Sequence, residues 1–105
     1  MTTIMPPLAG VEAFVAVVKT GSFVRAGAAL DLTTSAVSRS VARLERSLGV
    51  RLLQRTTRKV TPTDEGRDYY DRCEHLLGAF AEATEAVQRQ RATLAGRLRV
   101  ESGVA

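Results

Sequence analysis

The chain has 105 residues, 45% of them hydrophobic and 25% charged, with a formal net charge of +4. These proportions of hydrophobic and charged residues are typical of one small globular domain and exclude a disordered tail. The longest unbroken apolar run, Ala13 to Val18, is far too short to cross a membrane. One cysteine and one histidine cannot supply a disulfide framework or a multi-cysteine zinc site, so we expect no metal, no cofactor and no enzymatic activity. Without a secretory signal at its start, the chain is predicted to be cytoplasmic.

Charge is divided unevenly along the chain. Residues 1–61 carry nine basic and three acidic side chains, a net charge of +6. Residues 62–105 carry six basic and eight acidic side chains, a net charge of −2. A basic first part joined to a mildly acidic second part is typical of a polyanion-binding head on a solvated arm, which points to nucleic acid as the partner.

Two helices are predicted in the first thirty residues. Pro6-Pro7 opens the first helix and Thr20-Gly21-Ser22 ends it, with apolar residues at helical spacing between them. Ser22 then caps a short second helix over residues 23–30, and Asp31-Leu32 makes a tight turn.

The third predicted helix, capped by Thr33 or Thr34 and ended by Gly49, has two distinct faces. Its apolar residues step by four, three and four into one narrow stripe: Val37, Val41, Leu44 and Leu48. The other face carries small hydroxyl side chains and arginines. Small residues let a helix approach the major groove closely, and an arginine fork can bind guanine or phosphate. This pattern predicts DNA contacts by Thr33, Thr34, Ser35, Ser38, Arg39 and Arg43.

Two short extended segments, 51–55 and 58–61, predict a hairpin with a basic tip, although no glycine marks its turn. Basic side chains on such a hairpin reach the DNA backbone or the adjoining minor groove. The candidates are Arg55, Arg58 and Lys59.

A long helix is predicted from Thr63 to about Gln90, because Thr61-Pro62-Thr63-Asp64-Glu65 combines a hydroxyl cap, a proline and early acidic residues. Apolar residues along it step alternately by four and three, as in a heptad seam, and predict a dimer interface: Tyr69, Cys73, Leu76, Phe80, Ala83 and Val87. Gly96 is expected to end the helix, and the alternation over residues 97–101 predicts a strand.

Together these elements predict a mainly α fold, a winged helix-turn-helix of three helices and a two-stranded wing, followed by a long dimerisation helix. Several stretches resemble the LysR-type transcriptional regulators. Residues 14–23 and 26–30 resemble the start of that family, residues 35–45 and 48–58 resemble its recognition helix and wing, and residues 61–66 resemble the entry into its linker helix.

The resemblance implies a domain plan. Residues 1–7 would be a flexible N-terminus and residues 8–62 the DNA-binding domain, with the helix-turn-helix at about 23–42 and the wing at about 51–61. Residues 63–92 would be the linker helix, and residues 93–105 the hinge and first strand of a truncated effector-binding domain.

The family likeness also implies partners. These are double-stranded DNA with a partly palindromic operator, a second copy bound through the linker helix, and a tetramer in the full-length protein. A small-molecule effector is expected only for the C-terminal domain that this chain lacks. The positions that match base or groove contacts are Thr34, Ser35, Ser38, Arg39 and Arg58. Two residues depart from the family pattern: Thr34 stands where glutamine is frequent, and Gly27 where alanine is usual.

Two other functions fit the same sequence. One is a protein-interaction module whose basic head binds an acidic partner and whose long helix forms a coiled coil. The other is a winged-helix DNA binder of a different regulator family, without an effector domain. Titration against duplex DNA separates a DNA binder from an interaction module, and the reading frame beyond Ala105 separates the two kinds of regulator.

Overall fold

The computed structural model describes residue 3, residues 5–56 and residues 59–104, with side chains as far as residue 96. It forms two compact units, residues 1–74 (the head) and residues 75–105 (the arm). Three helices, a two-stranded antiparallel sheet and a long helix follow one another, which confirms the predicted winged helix-turn-helix. In chain order the elements are α1 (Leu8–Thr20), α2 (Phe23–Leu30), α3 (Thr34–Leu48), β1 (Leu53–Arg55), β2 (Val60–Pro62) and α4 (Asp64–Val104).

The ends of α2 and α3 are fixed by local hydrogen bonds. Ser22 Oγ accepts a hydrogen bond from the Arg25 N–H, and Thr33 Oγ1 accepts one from the Ala36 N–H, both at 3.1 Å. Each cap satisfies a helix donor that would otherwise have no partner. Gly49 ends α3 with a φ of 70°, a conformation that a side chain disfavours. These boundaries agree with those predicted from the sequence.

The core of the head joins α1, α3 and the chain entering the hairpin. Its largest fully buried side chains are Phe14, Val17, Val37, Val41, Leu44, Leu52 and Leu53. The apolar stripe of α3 is therefore its core face. The helices α1 and α3 come close at Gly10, where an added Cβ would lie 3.0 Å from the Ser40 carbonyl oxygen.

The hairpin pairs Leu53 with Pro62, Gln54 with Thr61 and Arg55 with Val60. Its turn is closed by Thr56, whose N–H and hydroxyl both donate to the Lys59 carbonyl oxygen, at 3.2 and 3.0 Å. The Thr56 hydroxyl also accepts from the Lys59 N–H at 3.2 Å. A threonine side chain thus closes the turn where the sequence has no glycine.

Thr63 joins the hairpin to α4. Its Oγ1 accepts a hydrogen bond from the Gly66 N–H at 2.9 Å and donates one to the Arg51 carbonyl oxygen at 2.7 Å. Its own N–H donates to the Leu52 carbonyl oxygen at 3.0 Å. One residue therefore caps α4 and joins its first turn to Arg51 and Leu52, the two residues before β1.

The structure corrects the predicted dimer seam at Cys73 and gives Tyr69 a contact within the head. The Tyr69 ring packs on Phe14 with centroids 5.9 Å apart, and Cys73 is only 6% exposed. A side chain buried within one chain is unavailable to a second one, so the dimer prediction is wrong for Cys73, and Tyr69 packs on the head. Heptad spacing identifies an apolar stripe, but it does not say which body covers each part of it.

Burial also governs the ionisation of this pair. It raises the pKa of Tyr69 from 10.0 to about 12, with a smaller contribution from the neighbouring Cys73, and it raises the pKa of the Cys73 thiol. Tyr69 is harder to ionise in the folded chain than in the unfolded one. The stability it contributes is therefore present below pH 10 and falls as pH rises towards 12.

A spectrophotometric titration tests this expectation. The chain has two tyrosines, so a Tyr70→Phe variant reports Tyr69 alone. We expect its phenolate absorbance to appear with a midpoint near pH 12 while the chain remains folded, and near pH 10 after unfolding in urea. A midpoint near pH 10 in the folded variant would contradict the burial of Tyr69.

The arm is the second part of α4, which continues to Val104. The predictions that Gly96 ends the helix and that residues 97–101 form a strand are therefore wrong. A strand needs a neighbouring strand for its backbone hydrogen bonds, whereas a helix satisfies its bonds internally. The exposed ion pair of Glu85 with Arg89, at 4.0 Å and four residues apart, adds slight support.

Candidate nucleic-acid interface

The first half of α3 presents a polar face to solvent. Thr33, Thr34, Ser35, Arg39 and Arg43 are exposed, and Ser38 is half-buried. Because Val37, Val41 and Leu44 on the other side of the helix are fully buried in the core, the rotation of α3 about its axis is fixed, and this face points outward. All six residues predicted on α3 for DNA contact therefore belong to one accessible surface, called here the α3 face.

Thr33 has a structural task in addition to its exposure. Its hydroxyl caps α3, which selects Thr33 over Thr34 as the capping residue. The cap orders the first turn of α3, where Thr34 and Ser35 lie. The side chains of Thr34 and Ser35 are thus available to a ligand, while the Thr33 hydroxyl is engaged with the helix backbone.

The charge of this helix is strongly positive. It carries Arg39, Arg43 and Arg46 against a single carboxylate, Glu45. The Glu45 side chain is only 12% exposed and contacts the segment that forms the hairpin, so it contributes little negative field to the α3 face. The first N–H groups of a helix add partial positive charge at its start. The α3 face is chemically suited to a polyanion.

The predicted wing residues differ in their surroundings. Lys59 is exposed next to the turn that Thr56 closes. Arg58 lies outside the described residues. Arg55 contacts protein on two sides: its guanidinium lies 3.5 Å from a Glu45 carboxylate oxygen and 5.3 Å from the centroid of the Phe23 ring. Arg55 is therefore anchored to α2 and α3, unlike Lys59.

Sequence reasoning missed Glu45 and Thr56 as organisers of this region. Glu45 is the only acidic residue in α3, which is a signal, but its partners are seven to ten residues away and cannot be found from helical spacing. The Thr56 hydroxyl bonds replace the turn signal that a glycine would have given.

The arm exposes an apolar stripe. Leu76, Phe80 and Val87 are each about two-thirds exposed (64%, 66% and 64%), and Ala83 is exposed between them. Leu94, one heptad after Val87, continues the stripe and was not predicted from the sequence. We call Leu76, Phe80, Ala83, Val87 and Leu94 the arm stripe.

The described residues offer no metal site and no membrane span. They contain no group of three or more histidine, cysteine or acidic side chains that could hold a metal ion. None of the described helices has the length and apolar composition needed to cross a bilayer.

Comparisons with known proteins point to one family. Residues 8–67 match the family described as bacterial regulatory helix-turn-helix protein, lysR family. An HTH-type transcriptional repressor of Pseudomonas aeruginosa is 46% identical over 98 residues, which is 93% of this chain and 31% of the repressor. The HTH-type transcriptional regulator CrgA of Neisseria meningitidis is 45% identical over 91 residues, 87% of this chain and 30% of CrgA. The chain thus spans about a third of the length of these relatives.

Two similar solved structures of DNA-binding or regulatory proteins each align with more than three-quarters of this chain. The DNA-binding domain of BenM, in complex with benA site 1 DNA, has a TM-score of 0.73 and 34% identity, covering 79% of this chain and 93% of that one. The full-length virulence activator AphB of Vibrio cholerae has a TM-score of 0.72 and 33% identity, covering 77% of this chain and 28% of AphB.

Proposed function

Because this chain belongs to the lysR family of bacterial regulatory helix-turn-helix proteins, whose DNA-binding domain it contains, we propose that two copies bind one operator through their α3 faces. The observation that carries this proposal is the α3 face itself: its hydroxyls and arginines are accessible to solvent because Val37, Val41 and Leu44 are buried on the opposite side of the helix. The role is one of binding without catalysis, in the control of transcription.

The residues divide into base contacts and phosphate contacts. Ser38 and Arg39 meet base edges in the major groove, where a guanidinium fork fits the O6 and N7 acceptors of guanine. Thr34 and Ser35 approach the groove at the start of α3, and Arg43 binds phosphate. Lys59 and Arg58 bind the DNA backbone or the minor groove beside the hairpin. Thr34 stands where the family often has glutamine, so no base preference is carried over from the family to its position.

The second copy of the chain binds through the arm. Five apolar side chains in one exposed line are costly to leave in water, and a like helix covers them by coiled-coil packing. Joining two heads places two α3 faces on successive major grooves, about 34–36 Å apart, of a partly palindromic site. In the complete regulator, residues 8–62 are the DNA-binding domain and residues 63–92 the linker helix. An effector-binding domain follows, and dimers pair into tetramers.

The first test is the salt dependence of binding. The probe is a duplex selected from a randomised pool by the wild-type chain. If each copy neutralises about four phosphates, a plot of log affinity against log salt has a slope near −7 for a dimer. A slope shallower than about −2 would contradict an extended phosphate footprint, and no duplex binding at low salt would favour a protein-interaction module.

The second test separates base contact from phosphate contact. We expect Arg39→Ala to weaken binding to the selected duplex by about 1–3 kcal/mol and to weaken binding to a random duplex much less, because only a base contact carries sequence information. Arg46→Ala is the control for the loss of an arginine from the same side of α3, since Arg46 is exposed about two helical turns after Arg39 and is not one of the six residues of the α3 face. It should weaken binding to both duplexes equally. Equal losses on both duplexes for Arg39→Ala would make Arg39 a phosphate contact.

A further inference from the structure

One carboxylate in α3 binds three donors of the hairpin region. Glu45 Oε2 accepts hydrogen bonds from the Leu52 N–H at 2.8 Å and from the Leu53 N–H at 3.2 Å. Glu45 Oε1 lies 3.5 Å from the Arg55 guanidinium. Leu52 and Leu53 are both fully or almost fully buried, so their N–H groups would be costly to leave without an acceptor.

Arg55 extends this contact to α2. Its guanidinium lies over the ring of Phe23, the first residue of α2, at 5.3 Å from the ring centroid. Such a cation–aromatic contact is attractive and has a preferred geometry. Glu45, Arg55 and Phe23 therefore connect the last turns of α3, the end of β1 and the start of α2. We call this group the Glu45 clasp.

The hairpin needs such an anchor. Its strands have three residues each, and a two-stranded hairpin is marginally stable when isolated. Lys59, at its turn, can contact DNA at the same time as the α3 face only if the hairpin is held at a fixed position relative to α3. The core side chains Leu52 and Leu53 hold its base, and the Glu45 clasp holds β1 along its length.

We propose that Glu45 is a positioning residue for DNA recognition: through Arg55 and the two amides it holds the hairpin where its basic side chains and the α3 face engage the duplex together. Arg55 in this arrangement is a positioning residue too, not a phosphate contact. The proposal rests on the DNA-binding function proposed above.

The direction in which DNA affinity changes in Glu45→Gln tests this proposal. Glu45→Gln removes a negative charge from the basic head while keeping an oxygen that can accept from the amides. Electrostatics alone predicts tighter DNA binding for this variant, because a repulsive charge is lost. The positioning role predicts the reverse: binding to the selected duplex about 10-fold weaker, with protection from hydroxyl radicals lost beside the hairpin and kept beside α3. If Glu45→Gln only destabilised the fold, the protection of DNA beside the hairpin and beside α3 would be lost together.

Two comparisons complete the design. Glu12→Gln, which removes an exposed carboxylate on α1, is the charge-matched control and should bind the same duplex as tightly as wild type or more tightly. Arg55→Gln should lose the same hairpin protection as Glu45→Gln, and the double variant should bind no more weakly than either single one, because both changes break one contact. Additive losses would instead make Arg55 an independent phosphate contact and overturn its assignment.

A measurement without DNA separates this proposal from the proposed function. In Glu45→Ala the amide protons of Leu52 and Leu53 should exchange faster than in wild type. If the alanine variant does not fold, Glu45→Gln, whose neutral oxygen accepts more weakly than the carboxylate, should show a smaller acceleration. If wild type binds no duplex, the proposed function and the role in recognition both fail, while exchange still reports the contact. If exchange accelerates but Glu45→Gln binds the duplex as tightly as wild type or more tightly, only the positioning role is overturned.

Discussion

Replacing Phe80 with glutamate is expected to make the chain a monomer and to weaken its binding to a two-half-site duplex by at least about 100-fold. Phe80 is 66% exposed in the single chain and lies in the middle of the arm stripe. A charge at this position would have to be buried without a partner in a helix pair, which is costly. Once the heads are separated, the second head no longer binds at the high effective concentration that a joined pair provides.

The matched control for this variant is Ala81→Glu. It places the same charge one residue further along, exposed but on another face of the helix, and should remain a dimer with nearly unchanged affinity. Sedimentation gives the mass and a band shift the affinity. Tight binding of the two-half-site duplex by a wild-type chain that sediments as a monomer at tens of micromolar would overturn the dimer proposal.

Gly66→Ala is expected to lower the free energy of unfolding of the head by about 3 kcal/mol, at the upper end of overpacking costs. An added Cβ at Gly66 would lie 2.0 Å from the Leu52 carbonyl oxygen and 2.9 Å from its carbon. Both atoms are backbone, so no side-chain rotation relieves the clash, and α4 must move away from the segment before β1. This displacement would also stretch the Thr63 hydrogen bonds that join the hairpin to α4.

Gly78→Ala provides the comparison within the same helix. An added Cβ at Gly78 meets nothing within 4 Å, so alanine should stabilise the helix by up to about 1 kcal/mol through its higher helix propensity. Urea unfolding followed by circular dichroism measures both variants. A Gly66→Ala head as stable as wild type would show that α4 and Leu52 do not approach as closely as described.

The parts of the fold that the sequence predicts are those set by local chemistry. Ser22, Thr33 and Gly49 cap or end helices through bonds within a few residues, so their roles follow from residue type and spacing. The stripe of α3 is predictable for the same reason: a helical period of buried side chains implies an exposed opposite face. The position of the α3 face therefore follows from the sequence pattern and is confirmed, while its contacts with DNA remain predictions.

The parts that could not be predicted depend on distant partners. Cys73 has the spacing of a dimer seam, but its burial depends on how the start of α4 packs on the head. Arg55 is a basic side chain on the hairpin, as expected of a DNA contact, but its position depends on Glu45, ten residues earlier, and on Phe23. Residues 97–101 alternate like a strand, yet alternation alone cannot supply the neighbouring strand that would outweigh a continuous helix.

Methylation interference on the selected duplex tests most directly whether two α3 faces occupy the major groove. Methyl groups on guanine N7 project into that groove. We expect N7 methylation to block wild-type binding in two regions one helical turn apart, and Arg39→Ala to lose sensitivity at one guanine in each half-site. Interference confined to the minor groove, or to a single region, would contradict the proposal that two α3 faces occupy the major groove.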